Sequence, residues 1–112
     1  MQFINRDPLY RIIRITGPHH NLLGLQIASE AIERAPDLEE LDRDSGSSTG
    51  LDGGDVATHV MLGVEDACRD LHKNYHVEKI QYVAEDTPPV EIYRMLASRL
   101  VRLIDEVRAG KP

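Results

Sequence analysis

Between Leu9 and Ile27 the chain reads LYRIIRIT, then GPHHN, then LLGLQI. Two aliphatic, β-branched runs flanking Gly17-Pro18 constrain the fold more than any other feature. Glycine admits positive φ and proline fixes its own φ, so the chain reverses there and the two runs become neighbours. In the first run Arg11, Ile13 and Ile15 share one strand face, and Tyr10, Ile12, Arg14 and Thr16 share the other. Apolar residues on both faces place this strand toward the middle of a sheet. In the second run, Leu22 to Ala28, Leu23, Leu25 and Ile27 oppose Leu22, Gly24 and Gln26. The pattern predicts an antiparallel hairpin with a longer loop, Gly17 to Asn21, that holds His19 and His20.

Two later stretches repeat at intervals of three and four, which is the helical period. Val56, Val60, Val64, Ala67 and Leu71 form one stripe, widened by Met61, Cys68 and Tyr75. Asp55 suits its N-cap, and the helix is expected to end near Asn74. The second stripe is Val90, Tyr93, Ala97, Leu100, Ile104 and Val107, with Leu96 and Leu103 beside it. Thr87 suits its N-cap, Pro88 its first helical position, and Gly110 its end. Between the helices, Glu78 to Asp86 reads as a strand with Ile80, Tyr82 and Ala84 on one face. Ser29 to Leu41 is ambiguous: helix propensity favours a short helix, whereas the need for a wider sheet favours a third strand centred on Ala31 to Glu33, which is the expectation adopted. Asp42 to Asp55, dense in Gly, Ser and Asp, reads as a mobile surface loop.

The order of elements implies one domain over residues 1–112, a small α+β sandwich. A β-hairpin, with a third strand, precedes helix-strand-helix, and two helices pack on one face of a mixed sheet. With one Phe, four Tyr and no Trp, the core must be built mainly from Leu, Ile, Val and Ala. The same scarcity removes the aromatic platforms on which single-stranded nucleic acids stack. Lys and Arg number 13 against 19 Asp and Glu, a net charge of −6, so phosphate backbones and anionic membranes are repelled. Arg94, Arg99, Arg102 and Arg108 are interleaved with Glu91, Asp105 and Glu106 and read as a solvated helix face. Neither nucleic acid nor membrane is expected as a partner. The lone Cys68 cannot close an intramolecular disulfide, and the first ten residues lack the sections of a signal peptide, so the expectation is a cytoplasmic protein.

Five features of the sequence bear on a site. First, a strand at Glu78–Asp86 paired parallel to Leu9–Thr16 would end at the same sheet edge. His19, His20, Asn21, Glu85, Asp86 and Thr87 would then converge beside a helix N-terminus, with imidazoles and carboxylates suited to an anion, a divalent metal or acid–base work. The plain alternative is a hairpin turn and a helix cap. Second, Cys68, His72 and His76 step by four. Neighbouring pairs could meet on a helix, but the outer two lie about 12 Å apart along the axis. Cys68 is better read as a core residue and His72 as a charge near a helix C-terminus. Third, an EF-hand started at Asp42 has Asp44 at its third position but Gly46 at its fifth and Gly53 at its twelfth, so the pattern fails. Fourth, GxGxxG, GxxxxGK[ST], GxSxG and HExxH are absent, and His59, off the apolar stripe, is expected in solvent. Fifth, Ile92, Met95 and Val101 extend the apolar surface of the last helix beyond its stripe, which suggests an interface with a partner or with a second copy.

No catalytic residue, cofactor or metal centre is assigned. The expectation is a small acidic protein-interaction module of the inhibitor, immunity or adaptor kind, steered toward a basic partner by its charge. The alternative is a small-molecule or metal-binding protein, even an enzyme, with its site at the His19–His20 loop facing Glu85 to Thr87.

Overall fold

The computed structural model describes residues 2–6, 8–16, 19–28, 30–31, 34–41, 53–83 and 91–110. These form strands β1 (Gln2–Arg6), β2 (Leu9–Thr16), β3 (His19–Ile27) and β4 (Asp37–Glu40), helix α1 (Gly53–Leu71), strand β5 (Val77–Tyr82) and helix α2 (Ile92–Arg108). The strands make one sheet in the order β1-β2-β3-β5-β4, antiparallel except for the β4–β5 pair. The fold is thus α+β: a mixed sheet carrying two helices on one face.

The hairpin is present, but its ladder runs out to Thr16↔His19, so only residues 17 and 18 separate the paired positions. His19 and His20 therefore belong to β3 and not to a five-residue loop. Their register follows from the pleat: Ile12 and Leu23 pair and both face the core, and a one-residue slip would turn the core-facing set outward.

Two strands differ from expectation. The strand described within the Ser29–Leu41 stretch lies at Asp37–Glu40, pairing in parallel with β5 at the sheet margin; Ala31 is not in a strand, and Ile32 and Glu33 lie outside the described residues. A strand was also missed: Gln2–Arg6 pairs antiparallel with β2 as the opposite margin. α2 is described from Ile92, with Glu91 at the N-cap position and no side-chain cap bond; Thr87 and Pro88, expected at the helix start, lie outside the described residues. Strand β5 ends at Tyr82, and Ala84 to Val90, like most of the acidic Asp42–Asp55 stretch, lies outside the described residues.

Tyr10, Ile12, Leu23, Leu25 and Ile80 from the sheet meet Val56, Val60, Ala67, Tyr93, Leu96, Leu100 and Ile104 from the helices, all fully or almost fully buried. Each such aliphatic side chain contributes about 1.5–3 kcal/mol by leaving water. Val107, expected in the stripe of α2, is 37% exposed.

Helix ends follow local chemistry. His72 adopts φ 55°, the left-handed conformation, just after α1. The His72 amide donates to the Arg69 carbonyl (3.3 Å) and the Lys73 amide to that of Cys68 (3.1 Å), the two bonds of a Schellman motif. Gly110, with φ 74°, follows α2 as expected, its amide donating to the Val107 carbonyl at 3.1 Å.

Candidate functional site

Alternation along the strands sends Tyr10, Ile12, Leu23, Leu25, Ile80 and Tyr82 toward the helices. It sends Ile4, Arg11, Ile13, Leu22, Gly24, Gln81 and Glu39 to the opposite face. Neither α1 nor α2 covers that second face.

One row crosses it from margin to margin. Ile4 pairs with Arg11, Arg11 with Gly24, Gly24 with Gln81, and Gln81 with Glu39. Gly24 makes the row continuous: a Cβ there would lie 2.7 Å from Gln81 Oε1 and 3.4 Å from Arg11 Cγ. The open lane lets side chains from β2 and β5 meet over β3. Arg11 Nε donates to Gln81 Oε1 at 3.0 Å, and Gln81 Nε2 donates to Glu39 Oε1 at 2.6 Å. Lys79 Nζ stands 3.9 Å from the same Glu39 oxygen. A guanidinium, an amide and a carboxylate are thereby fixed in line, with Gln81 only 6% exposed. On the same face, Ile4, Arg6, Leu9 and Arg11 line a hollow of about 220 Å³.

The helix layer carries charge across its seam. Arg94 grips Asp66 through Nε–Oδ2 (2.7 Å) and Nη2–Oδ1 (3.1 Å), and Arg69 joins the same carboxylate. Hydrogen bonding from Arg94, reinforced by the charges of Arg94 and Arg69, holds the Asp66 carboxyl below the usual aspartate value. Arg102 pairs with Asp70, and Lys73 with Asp105. Tyr75 donates to Asp105 at 2.7 Å; burial, then that anionic acceptor, push its phenol up to about 12. The four arginines of α2 are therefore not uniformly solvated: Arg94 and Arg102 tie α2 to α1, while Arg108 lies 5.7 Å from the ring centre of Tyr10 and 5.8 Å from that of Tyr75.

The residues expected at the sheet end are only partly described. β3 lies between β2 and β5, so the parallel pairing of those two strands is replaced by two antiparallel pairings. The backbone of His19 pairs with Thr16 and that of His20 with Ile15. Asn21 is fully buried and accepts from Arg14 Nη1 at 3.4 Å. Glu85, Asp86 and Thr87 lie outside the described residues. Of the helix residues, Met95 is 42% exposed, Ile92 is packed partly against the core, and Val101 is fully buried, its surface already used within the domain. Cys68 is likewise partly buried against the core, and the left-handed turn at His72 takes that imidazole out of the helical i,i+4 relation with it. His59 is half-buried rather than in solvent, and its Nδ1 is buried without a hydrogen-bond partner. Among the described residues, no group of three or more His, Cys, Asp or Glu could hold a metal ion, and no helix is long and apolar enough to cross a membrane.

Sequence reasoning missed the cross-sheet row because its members come from five strands, two of which were unrecognised or misplaced. The signal that could have found it is Gly24, the single glycine in a strongly alternating strand, which marks a close approach.

Comparison of the chain with family models, with curated proteins and with solved structures found no match.

Proposed function

We propose that this domain is a protein-interaction module of the inhibitor, immunity or adaptor kind, working in the cytoplasm and acting by binding without catalysis. The observation that carries this reading is the sheet face left uncovered by both helices. On it Ile4, Leu9, Ile13 and Leu22, all partly exposed, surround the fixed Arg11–Gln81–Glu39 row. Apolar surface around prearranged polar groups suits specific recognition, because the polar groups need no reordering on binding.

The expected partner is basic. Asp37, Glu39 and Glu40 make β4 acidic at three of its four positions, and Glu78 lies beside Arg34 nearby. Together with a net charge of −6, this favours fast encounter with a cationic surface. The test is capture of cytoplasmic proteins by the wild-type domain, by Ile13→Glu on the open face, and by Arg99→Glu on the helix face. Partners held by wild type and Arg99→Glu but lost with Ile13→Glu support the reading. Identical retention by all three overturns it.

A ligand or metal site at the end of the sheet is a second reading. It is supported by the antiparallel β3–β5 ladder, whose last pair is Leu23↔Tyr82. In sequence, His20 lies three residues before Leu23 of that rung and Glu85 three residues after Tyr82. NMR titration of the five histidines with and without zinc tests it. Shifts confined to His19 and His20 support the site, and indifference of both to the metal removes its metal form.

A further inference from the structure

The sheet has two margins, and they are built differently. β4 spans four residues, three of them carboxylates, the short and charged pattern that keeps a margin from pairing. β1, Gln2–Arg6, is longer and carries one charge, Arg6, at its end. Its inner side pairs with β2.

Both faces of the β1 margin are hollowed. On the open face lies the depression lined by Ile4, Arg6, Leu9 and Arg11. On the helix side a shallow depression is lined by Asn5, Tyr10, Val107 and Arg108, with Val107 37% exposed. Phe3, stacked on Tyr10 at 6.3 Å between ring centres, shares that side.

We infer that β1 is a homodimerisation edge, pairing antiparallel with β1 of a second copy about a two-fold axis at Ile4, so that the two sheets become continuous. This register is self-complementary. Ile4 meets Ile4 of the other copy beside the open-face depression. Phe3 stands opposite Asn5, within reach of the depression where Val107 is exposed. Gln2 stands opposite Arg6, so the one charge on the strand faces an amide and never its own copy. A two-fold pairing of β4 would instead bring its carboxylates toward one another. The inference goes beyond the proposed function: it concerns the backbone margin of β1 and a second copy rather than a basic partner, although Ile4 borders both surfaces.

The test is sedimentation of the full chain over a wide concentration range, together with disulfide trapping in a Cys68→Ala background. Residues directly opposite in antiparallel strands have Cα atoms about 4.5–5.5 Å apart, within disulfide range. The expected result is a dimer that Ile4→Cys locks covalently under mild oxidation. Gln2→Cys alone does not lock it, but Gln2→Cys mixed with Arg6→Cys does. Gln2→Glu should tighten the dimer several-fold at low salt by facing Arg6. Ile4→Lys should yield a monomer, its fold verified by near-native backbone NMR shifts. A chain that stays monomeric, or a dimer that traps equally at Gln2 and Ile4 or that survives Ile4→Lys, overturns the proposal. Sedimentation and cross-strand trapping read the dimer without any basic partner, so the dimer edge is judged apart from the functional reading.

Discussion

The Cα of Gly63 in α1 faces the backbone of Arg94 in α2 so closely that a Cβ on it would overlap the Arg94 carbonyl oxygen and stand 2.9 Å from Ala97 Cβ. The helices touch there backbone to backbone, and this contact sets how deeply both can seat on the sheet. Gly63→Ala gains about 1 kcal/mol of helix propensity. It must also push rigid main chain apart, and overpacking of that kind costs about 1–3 kcal/mol. The expected outcome is a net loss of stability, larger for Gly63→Val, seen as a lower urea midpoint with the same slope. A Gly63→Ala variant as stable as wild type would show that the helices have room.

Gly24 presents a different tolerance. A methyl group there displaces the Gln81 amide and breaks the Arg11–Gln81 bond, and at 3.0 Å from Gln81 Cβ it also presses lightly on β5. Gly24→Ala is expected to cost about 1 kcal/mol, the worth of one such hydrogen bond. Since Gln81→Ala removes the same bond, the double variant should cost less than the sum of the two singles. A double-mutant cycle measured by chemical denaturation reads this coupling; strict additivity would disprove the relay.

His72 offers the opposite sign. A residue with a side chain in the left-handed conformation costs about 1–2 kcal/mol, and its exposed imidazole has no bond in compensation among the described residues. Glycine relieves that strain but adds freedom to the unfolded chain. His72→Gly should therefore stabilise the protein by about 0.5–1 kcal/mol, raising its melting temperature.

Tyr75 gives a pH signature. Its phenol titrates at about 12 in the folded protein against 10.0 for the free group, chiefly through burial, then through its bond to Asp105. The folded state thus holds the proton more tightly, so this contribution is fully present below pH 10 and is lost as pH rises toward 12. Ultraviolet titration should show one tyrosine ionising late, and Asp105→Ala should bring it back toward the ordinary value. If that variant leaves the titration unchanged, Asp105 is not the partner that matters.

Asp66 acts at the other end of the scale. Its carboxyl titrates below the normal aspartate value because Arg94 and Arg69 hold it ionised. The folded state sheds this proton more readily, so its contribution is present above pH 4 and disappears as pH falls through the lowered value. Asp66→Asn should flatten the acid limb of the stability curve, and added salt should shrink the difference, because the pair sits at the surface.

Local physics alone determined much of this protein. Alternation over Leu9–Thr16 and Leu22–Ile27 with Gly17-Pro18 between them fixed a hairpin, because side chains on a pleat can bury only every second residue. Three-four spacing from Val56 to Leu71 and from Tyr93 to Ile104 fixed two one-sided helices, and Gly110 the end of the second. What the local pattern could not determine was which strands stand side by side. Gln2–Arg6 and Asp37–Glu40 are polar, short segments with little alternation, and they become strands only because β2 and β5 offer open ladders to them. The insertion of β3 between β2 and β5 likewise depends on how the α1 crossover returns the chain to the sheet. The Arg11–Gln81–Glu39 row and the hollowed β1 margin exist only through those pairings: hydrogen-bonded neighbours across a sheet are set by free energy summed over the whole core, whereas sequence spacing reports only the face on which each residue lies.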